Sequence, residues 1–249
     1  MVDILLVLVA GILGGMLNAV AGGGTFLTLP ALIFAGVPPV SANATATLSA
    51  LPGYLSSVWA YRHDLHTTPN MPATRMVVVS AFGGILGAVL LLLTPNDTFL
   101  IAVPALMALA TLLFAGGPQL IRRLLARDML APAGAAVALL LVSIYGGYFN
   151  GGLGIMLLAV LGLIGFTDLH AMNGLKNALS VLLSLVSAAT YALAGVIAWD
   201  YAALLAESMI AGGFLGAHYA RRIRNTARLK QFIVLVGLVM TVIFTVRLL

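Results

Sequence analysis

Two glycine-rich stretches, each led by an asparagine, interrupt runs of apolar residues. The first is Asn18-Ala19-Val20-Ala21-Gly22-Gly23-Gly24-Thr25, and the second is Asn150-Gly151-Gly152-Leu153-Gly154. Backbone outside a helix is costly in a hydrocarbon layer, because its N–H and C=O groups find no water there. It is tolerated only where it is buried in protein or lines a wet cavity. Both stretches therefore read as walls of a binding site. The segment after each break starts near the middle of the membrane, so its N-terminus points inward. Free N–H groups and the helix dipole at such an end attract an anion. Gly22, Gly23 and Gly24 permit close backbone approach and positive φ, and Thr25 can cap the following helix or donate its hydroxyl. The competing reading is tight packing by small residues, and it suffices for Gly83, Gly84 and Gly87. A break repeated beside an asparagine and before a short segment favours a site.

Polar residues recur on one helical face downstream of each break. Asn43, Thr47, Tyr54, Ser57 and Tyr61 form one stripe; Asn173, Asn177, Ser180, Ser184, Ser187 and Tyr191 form the other. Steps of three, four or seven place such residues on a single face, which in lipid must meet protein or water. Asn43, Thr47, Asn173 and Asn177 lie nearest the breaks and join the candidate site. The serines and tyrosines further along suit interhelical hydrogen bonding equally well. Pro52-Gly53 is expected to kink the first of these helices. Lys176 is the one Lys or Arg well inside an apolar segment. Two readings stand for it: positive potential for an anion site, or a side chain that snorkels to the nearby headgroups. Glu207 is the one carboxylate well inside an apolar segment, and it leaves proton coupling open alongside pairing with a loop arginine. His63, Asp64 and His66 read as solvated loop rather than a metal cluster, so no metal and no cofactor are expected.

The elements that must position these residues follow from composition. The 249 residues are 62% hydrophobic and 8% charged, with mean hydropathy +1.13. A soluble domain cannot bury that fraction, and continuous apolar runs exclude an alternating β-barrel pattern. Ten apolar segments fall at roughly 4–20, 25–36, 40–61, 72–94, 98–116, 131–149, 153–166, 170–197, 201–220 and 230–249. The second and seventh are the short ones, and each follows a glycine break. Gly14-Gly15-Met16-Leu17-Asn18 matches Gly146-Gly147-Tyr148-Phe149-Asn150 at an offset of 132, and the polar stripes match at 130. The chain thus reads as a duplicated unit of five segments. Ten of its twelve Lys and Arg residues lie in three loops, which marks those loops as cytoplasmic. Five segments per unit then place the halves in opposite orientation, with Arg247 against the scheme. The expected organisation is a first transmembrane repeat over 1–117, a basic cytoplasmic linker over 118–130 and a second repeat over 131–249, all in one membrane domain. The net charge of +5 belongs to headgroups and topology, and no nucleic acid is expected. No serine-hydrolase, zinc-protease or P-loop motif is present, so the chain is read as no enzyme and not driven by ATP of its own binding.

The Asn18 to Pro30 stretch, Ala42-Asn43-Ala44-Thr45, and Tyr145-Gly146-Gly147-Tyr148-Phe149 together resemble the TauE/SafE sulfite exporter family, also called the toluene-sulfonate uptake permease family. The resemblance spans both halves. It implies a multi-pass transporter of the prokaryotic inner membrane for sulfur-containing anions such as sulfite, sulfoacetate or other organosulfonates. The fold expected is an all-α polytopic membrane protein of two inverted-topology repeats of five hydrophobic segments, whose short broken or re-entrant helices meet near the midplane. A small sulfur-containing anion and the lipid bilayer are its expected partners, and a homodimer is left open. The expected mechanism is alternating access by rocking one repeat against the other. A passive anion channel, or a membrane subunit that passes sulfur compounds to a partner enzyme, are the alternatives. Leu153 interrupts the second glycine run, so unequal contributions from the two halves are expected.

Overall fold

The computed structural model describes residues 2–21, 23–60, 62, 71–125, 130–220 and 226–248. These fold into eleven α-helices: α1 (Val2–Ala21), α2 (Thr25–Phe34), α3 (Pro39–Ser49), α4 (Leu51–Ala60), α5 (Ala73–Leu93), α6 (Asn96–Leu125), α7 (Pro132–Tyr148), α8 (Leu153–Ile164), α9 (Leu169–Leu193), α10 (Trp199–Ala220) and α11 (Thr226–Leu248). Three described helical stretches, Ala73–Leu93, Asn96–Gly117 and Ala171–Leu193, are long and apolar enough to cross a membrane. The molecule is an all-helical polytopic membrane protein. Large apolar side chains such as Val78, Phe82, Leu112, Phe214 and Leu235 are exposed on its surface, as a protein solvated by lipid requires.

The two short segments are α2 and α8. At about 1.5 Å per residue they rise only about 15 and 18 Å, roughly half of a 30 Å hydrocarbon core. The segment expected over 40–61 is two helices, divided at Ala50. The break lies just before Pro52, where a kink at Pro52-Gly53 was expected. Proline has no N–H for the carbonyl four residues back and its ring presses on that carbonyl, so the disturbance falls upstream. Gly53 and Tyr54 both donate their N–H groups to the Ala50 carbonyl, at 3.1 and 3.2 Å, and restart the helix. The segment expected over 98–116 is longer than expected. It runs from Asn96 to Leu125, about 45 Å, and carries helix into the stretch read as a linker.

The long helices pair reciprocally between the halves. α1 lies along α10, α5 along α7 and α6 along α11. In each of the first two pairs the opening helix of one half meets the fourth segment of the other. Glycines set the spacing. A Cβ on Gly15 would stand 2.3 Å from the Met209 carbonyl oxygen, and one on Gly212 would stand 2.0 Å from that of Ile12. In the second pair a Cβ on Gly87 would stand 2.0 Å from the Ile144 carbonyl oxygen, and one on Gly147 would stand 2.2 Å from that of Gly84. The α5 and α10 glycines are themselves a repeat. Gly83-Gly84-Ile85-Leu86-Gly87 matches Gly212-Gly213-Phe214-Leu215-Gly216 at an offset of 129. Close packing of small residues is a main source of helix affinity where lipid removes the hydrophobic driving force. The packing reading of Gly83, Gly84 and Gly87 fits the structure.

Buried hydroxyls fasten the remaining helices. Thr45 Oγ1 accepts the Ala198 N–H at 3.0 Å, and Ser49 Oγ donates to the Ala202 carbonyl at 3.2 Å, which ties α3 to the start of α10. Ser187 donates to the Gly84 carbonyl at 3.4 Å, and Tyr191 donates to the Gly147 carbonyl. The far part of the α9 stripe thus locks onto the α5–α7 contact.

Gly87→Ala is expected to lower the thermal stability of detergent-solubilised protein by about 1–3 kcal/mol, the usual cost of overpacking. Gly116→Ala in α6, where no atom lies within 4 Å of the new Cβ, is expected to raise it by about 0.5–1 kcal/mol through helix propensity. Equal melting temperatures for the two variants would refute the packing account.

Candidate functional site

The two breaks differ in construction. In the first half α1 continues through Asn18 to Ala21, so Asn18 is a helical residue one turn before the break. Gly22 lies outside the described residues. Gly24 is the N-cap of α2 with φ −57°, in the right-handed region, and no side chain caps the helix. Thr25 is buried as the first helical residue and does not cap. Gly23 and Gly24 have no positive φ, so for them the expected left-handed backbone is not found. What Gly24 supplies is contact: a Cβ there would stand 2.7 Å from the Gly14 carbonyl oxygen and 3.3 Å from Asn18 Cβ. Its carbonyl accepts the Leu27 and Thr28 N–H groups and the Thr28 hydroxyl.

In the second half the break is Phe149 to Gly152. Gly152 is the N-cap of α8 at φ +76°, a left-handed conformation that glycine adopts without the Cβ penalty. A Cβ there would also come within 3.0 Å of Ala110 Cβ. Asn150 itself is buried in this break. Its Oδ1 accepts the Tyr54 hydroxyl at 3.3 Å, and its Nδ2 donates to Ser184 Oγ at 3.4 Å. It therefore bridges α4 and α9. Tyr145 donates to the Gly151 carbonyl at 2.7 Å. Asn43 Nδ2, reaching from α3, donates to the Tyr148 carbonyl at 3.0 Å. Four side chains from four helices thus satisfy or hold one short stretch of broken backbone. Among the described residues, the N–H groups of Gly151, Gly152 and Gly154 donate to no carbonyl.

Lys176 belongs to this second break. A Cβ on Gly154 would lie 3.4 Å from Lys176 Cδ and 3.9 Å from its Cε, so the lysine stem passes along the first turn of α8. Its ammonium donates to Asn173 Oδ1 at 3.3 Å. Lys176 is partly buried in this position.

The first asparagine approaches the same helix from another side. Asn18 Nδ2 is buried without a partner, and a Cβ on Gly53 would stand 3.2 Å from it. Gly53 and Tyr54 are consecutive, so both asparagines meet neighbouring residues of α4. Asn43, only 1% exposed, also has an unpaired atom, its Oδ1. Thr47 and Asn177 are buried on α3 and α9, but no hydrogen bond ties either to a break among the described residues. Glu207 is exposed on α10, away from this cluster. His63, Asp64, His66 and Tyr61 lie outside the described residues.

Tyr54, Tyr145, Ser184 and Gly53 complete the cluster although none was selected from sequence as a site residue. Tyr54 and Ser184 carried a signal, since both lie on the polar stripes. Tyr145 carried its place at the head of the Tyr145-Gly146-Gly147-Tyr148-Phe149 motif, five residues before Asn150. The cluster presents an unpaired amide donor, unpaired backbone N–H groups at a helix start and an ammonium group. Its chemistry is that of a donor-rich site for an anion.

Asn150→Ala is expected to cost about 1–3 kcal/mol of stability, because it strands the buried Tyr54 and Ser184 hydroxyls. Asn150→Asp preserves an acceptor for both and is expected to restore part of the melting temperature. Indistinguishable melting curves for Ala and wild type would show that the bridge carries nothing.

Known proteins agree with this picture of a membrane transporter. The model of the family described as "Sulfite exporter TauE/SafE" matches residues 7–244. A Sinorhizobium protein named "Probable membrane transporter protein ORF9" is 26% identical over 238 residues, which cover 94% of this chain and 89% of the relative. A "Probable membrane transporter protein" of Haemophilus influenzae is 28% identical, with 96% and 94% covered. The Escherichia coli K12 protein named "Probable membrane transporter protein YfcA" is 28% identical, with 92% and 84% covered. No solved structure matches the chain. With its family model spanning nearly its whole length, the chain belongs to the sulfite exporter TauE/SafE family.

Proposed function

We propose that this membrane transporter is a secondary transporter that exports small sulfur-containing anions, such as sulfite, sulfoacetate or other organosulfonates, across the prokaryotic inner membrane. The observation that carries the reading is Lys176 laid along the first turn of α8, beside Gly154, whose N–H donates to no carbonyl among the described residues. A sulfur oxyanion offers several acceptor oxygens on one small centre. Donors from a helix start, an ammonium group and the Asn18 amide suit it, and charge-assisted bonds of this kind are the strong ones. The family description supports the substrate class. Asn18, Gly22 to Thr25, Asn43, Thr47, Asn150 to Gly152, Gly154, Asn173, Lys176 and Asn177 remain the proposed substrate-binding set. The second break is its better furnished half.

Alternating access has a natural geometry here. The reciprocal pairing of α1 with α10 and of α5 with α7 supports an inverted repeat. The close glycine contacts of these two pairs, at Gly15, Gly212, Gly87 and Gly147, join helices from opposite halves. Alternating access would then move the α1–α10 pair against the α5–α7 pair, each carrying helices of both sequence repeats, as one form of the rocking expected from the inverted repeat. The Ala50 break between α3 and α4 is the joint between them.

Sulfite or sulfoacetate is expected to stabilise purified protein, by about 2.7 kcal/mol at a hundredfold excess over Kd. Lys176→Ala is expected to weaken that binding about tenfold or more, the worth of a charged hydrogen bond, and to reduce flux in proteoliposomes in step. If sulfite, sulfoacetate, thiosulfate and sulfate all leave the melting temperature unmoved, the reading fails. Counterflow without trans-stimulation would assign the chain to the channels instead.

A further inference from the structure

A second feature lies on the outer face of the bundle, away from the helix breaks. Val78, Val79 and Phe82 of α5 and Ala136, Val137 and Leu140 of α7 line a groove of about 230 Å³. Every lining residue is apolar, and Val78, Phe82 and Val137 are more than half exposed. The two helices run parallel at this contact. A Cβ on Gly83 would meet Ser143 and Leu140, and one on Gly87, a turn further, would meet Ile144 and Tyr148. Their N-termini therefore lie at the same end of the bundle, and the first turns of both are exposed.

Arg75 lies about one turn N-terminal to the groove's first lining residue on α5. It precedes Val78, Val79 and Phe82 by three, four and seven residues, the spacing that places all four on one helix face. It is exposed, and no carboxylate pairs with it among the described residues. Beside it, the starts of α5 and α7 add the positive ends of two helix dipoles. An apolar trough below a cation and two helix starts matches an amphiphile that carries one anionic group and a hydrocarbon chain. A free anion would have no use for the groove, and in a zwitterionic lipid the headgroup cation would offset the attraction of its phosphate to Arg75.

We propose that the α5–α7 groove binds one anionic glycerophospholipid, with an acyl chain against Val78, Phe82 and Val137 and the phosphate at Arg75. Such a lipid bridges an α5–α7 pair that meets elsewhere through glycine. Cations near a membrane surface attract anionic lipid by about a factor of five each, so the preference rests on headgroup charge while the groove supplies the position.

The test uses delipidated full-length protein in detergent, read by native mass spectrometry with phosphatidylglycerol, phosphatidylcholine and inorganic phosphate as probes. The expected result is one retained phosphatidylglycerol, preferred about fivefold over phosphatidylcholine, with no effect of millimolar phosphate. Arg75→Ala is expected to abolish the preference and Arg75→Lys to restore most of it. Val137→Trp, a change at an exposed side chain, is expected to fill the groove and remove the retained lipid of either kind. Arg123→Ala, at an exposed cation on α6, is expected to leave the preference unchanged. The proposal is overturned if Arg75→Ala keeps the preference or if Val137→Trp keeps the lipid. It is equally overturned if inorganic phosphate displaces the lipid. Conversion of a dimer to a monomer by Val137→Trp, with no lipid adduct in the wild type, would assign the face to a second copy of the chain and overturn it too.

Discussion

Broken backbone inside a hydrocarbon layer must be satisfied by the protein itself, because lipid offers neither donors nor acceptors. Much of this structure answers that one constraint. The stretch from Tyr148 to Gly152 leaves carbonyls and amides outside any helix, and α3, α4, α7 and α9 each send a side chain to it. Asparagine and tyrosine are suited to this work, since each reaches across a helix interface and carries a polar tip. The groups left over after that satisfaction are mostly donors, and they define the chemistry of the site.

The two breaks meet the constraint by different means. The second uses a left-handed glycine at Gly152 and a ring of side chains. The first uses proximity: Gly24 is drawn so close to Gly14 that no side chain fits between α1 and α2. The two stretches thus end a helix differently, while a short helix follows each. The difference places the ammonium of Lys176 and the bridging carboxamide of Asn150 in the same half. An anion held between the breaks is accordingly expected nearer to α8 than to α2.

Glycine acts in two further ways that a count of glycines would merge. In the α1–α10 and α5–α7 pairs it lets backbones touch, and those contacts join opposite halves. That crossing ties the two halves of the chain to each other. It also means that the units most visible along the sequence are not the units most tightly packed in space. The polar stripe on α9 serves both levels. Its Ser184 holds the broken backbone through Asn150, while Ser187 and Tyr191, further along the same face, fasten the glycine contact of α5 and α7.

Periodicity and composition alone determined the helical membrane fold, the two short helices and the inward direction of the polar stripes. These are local properties. An apolar run of given length can only be a helix in lipid, and a polar face there must turn inward. The glycine repeat on α5 and α10 was also present in the sequence, though it became legible only beside its contacts. The tertiary structure alone decided the rest. It placed the helix break at Ala50, carried Asn18 into α1, and gave positive φ to Gly152 but not to Gly24. It joined Tyr54, Asn150 and Ser184, residues separated by 96 and 34 positions, and it laid Lys176 against Gly154. Each of these depends on which backbone approaches which, and that distance is set by packing between segments far apart in the chain.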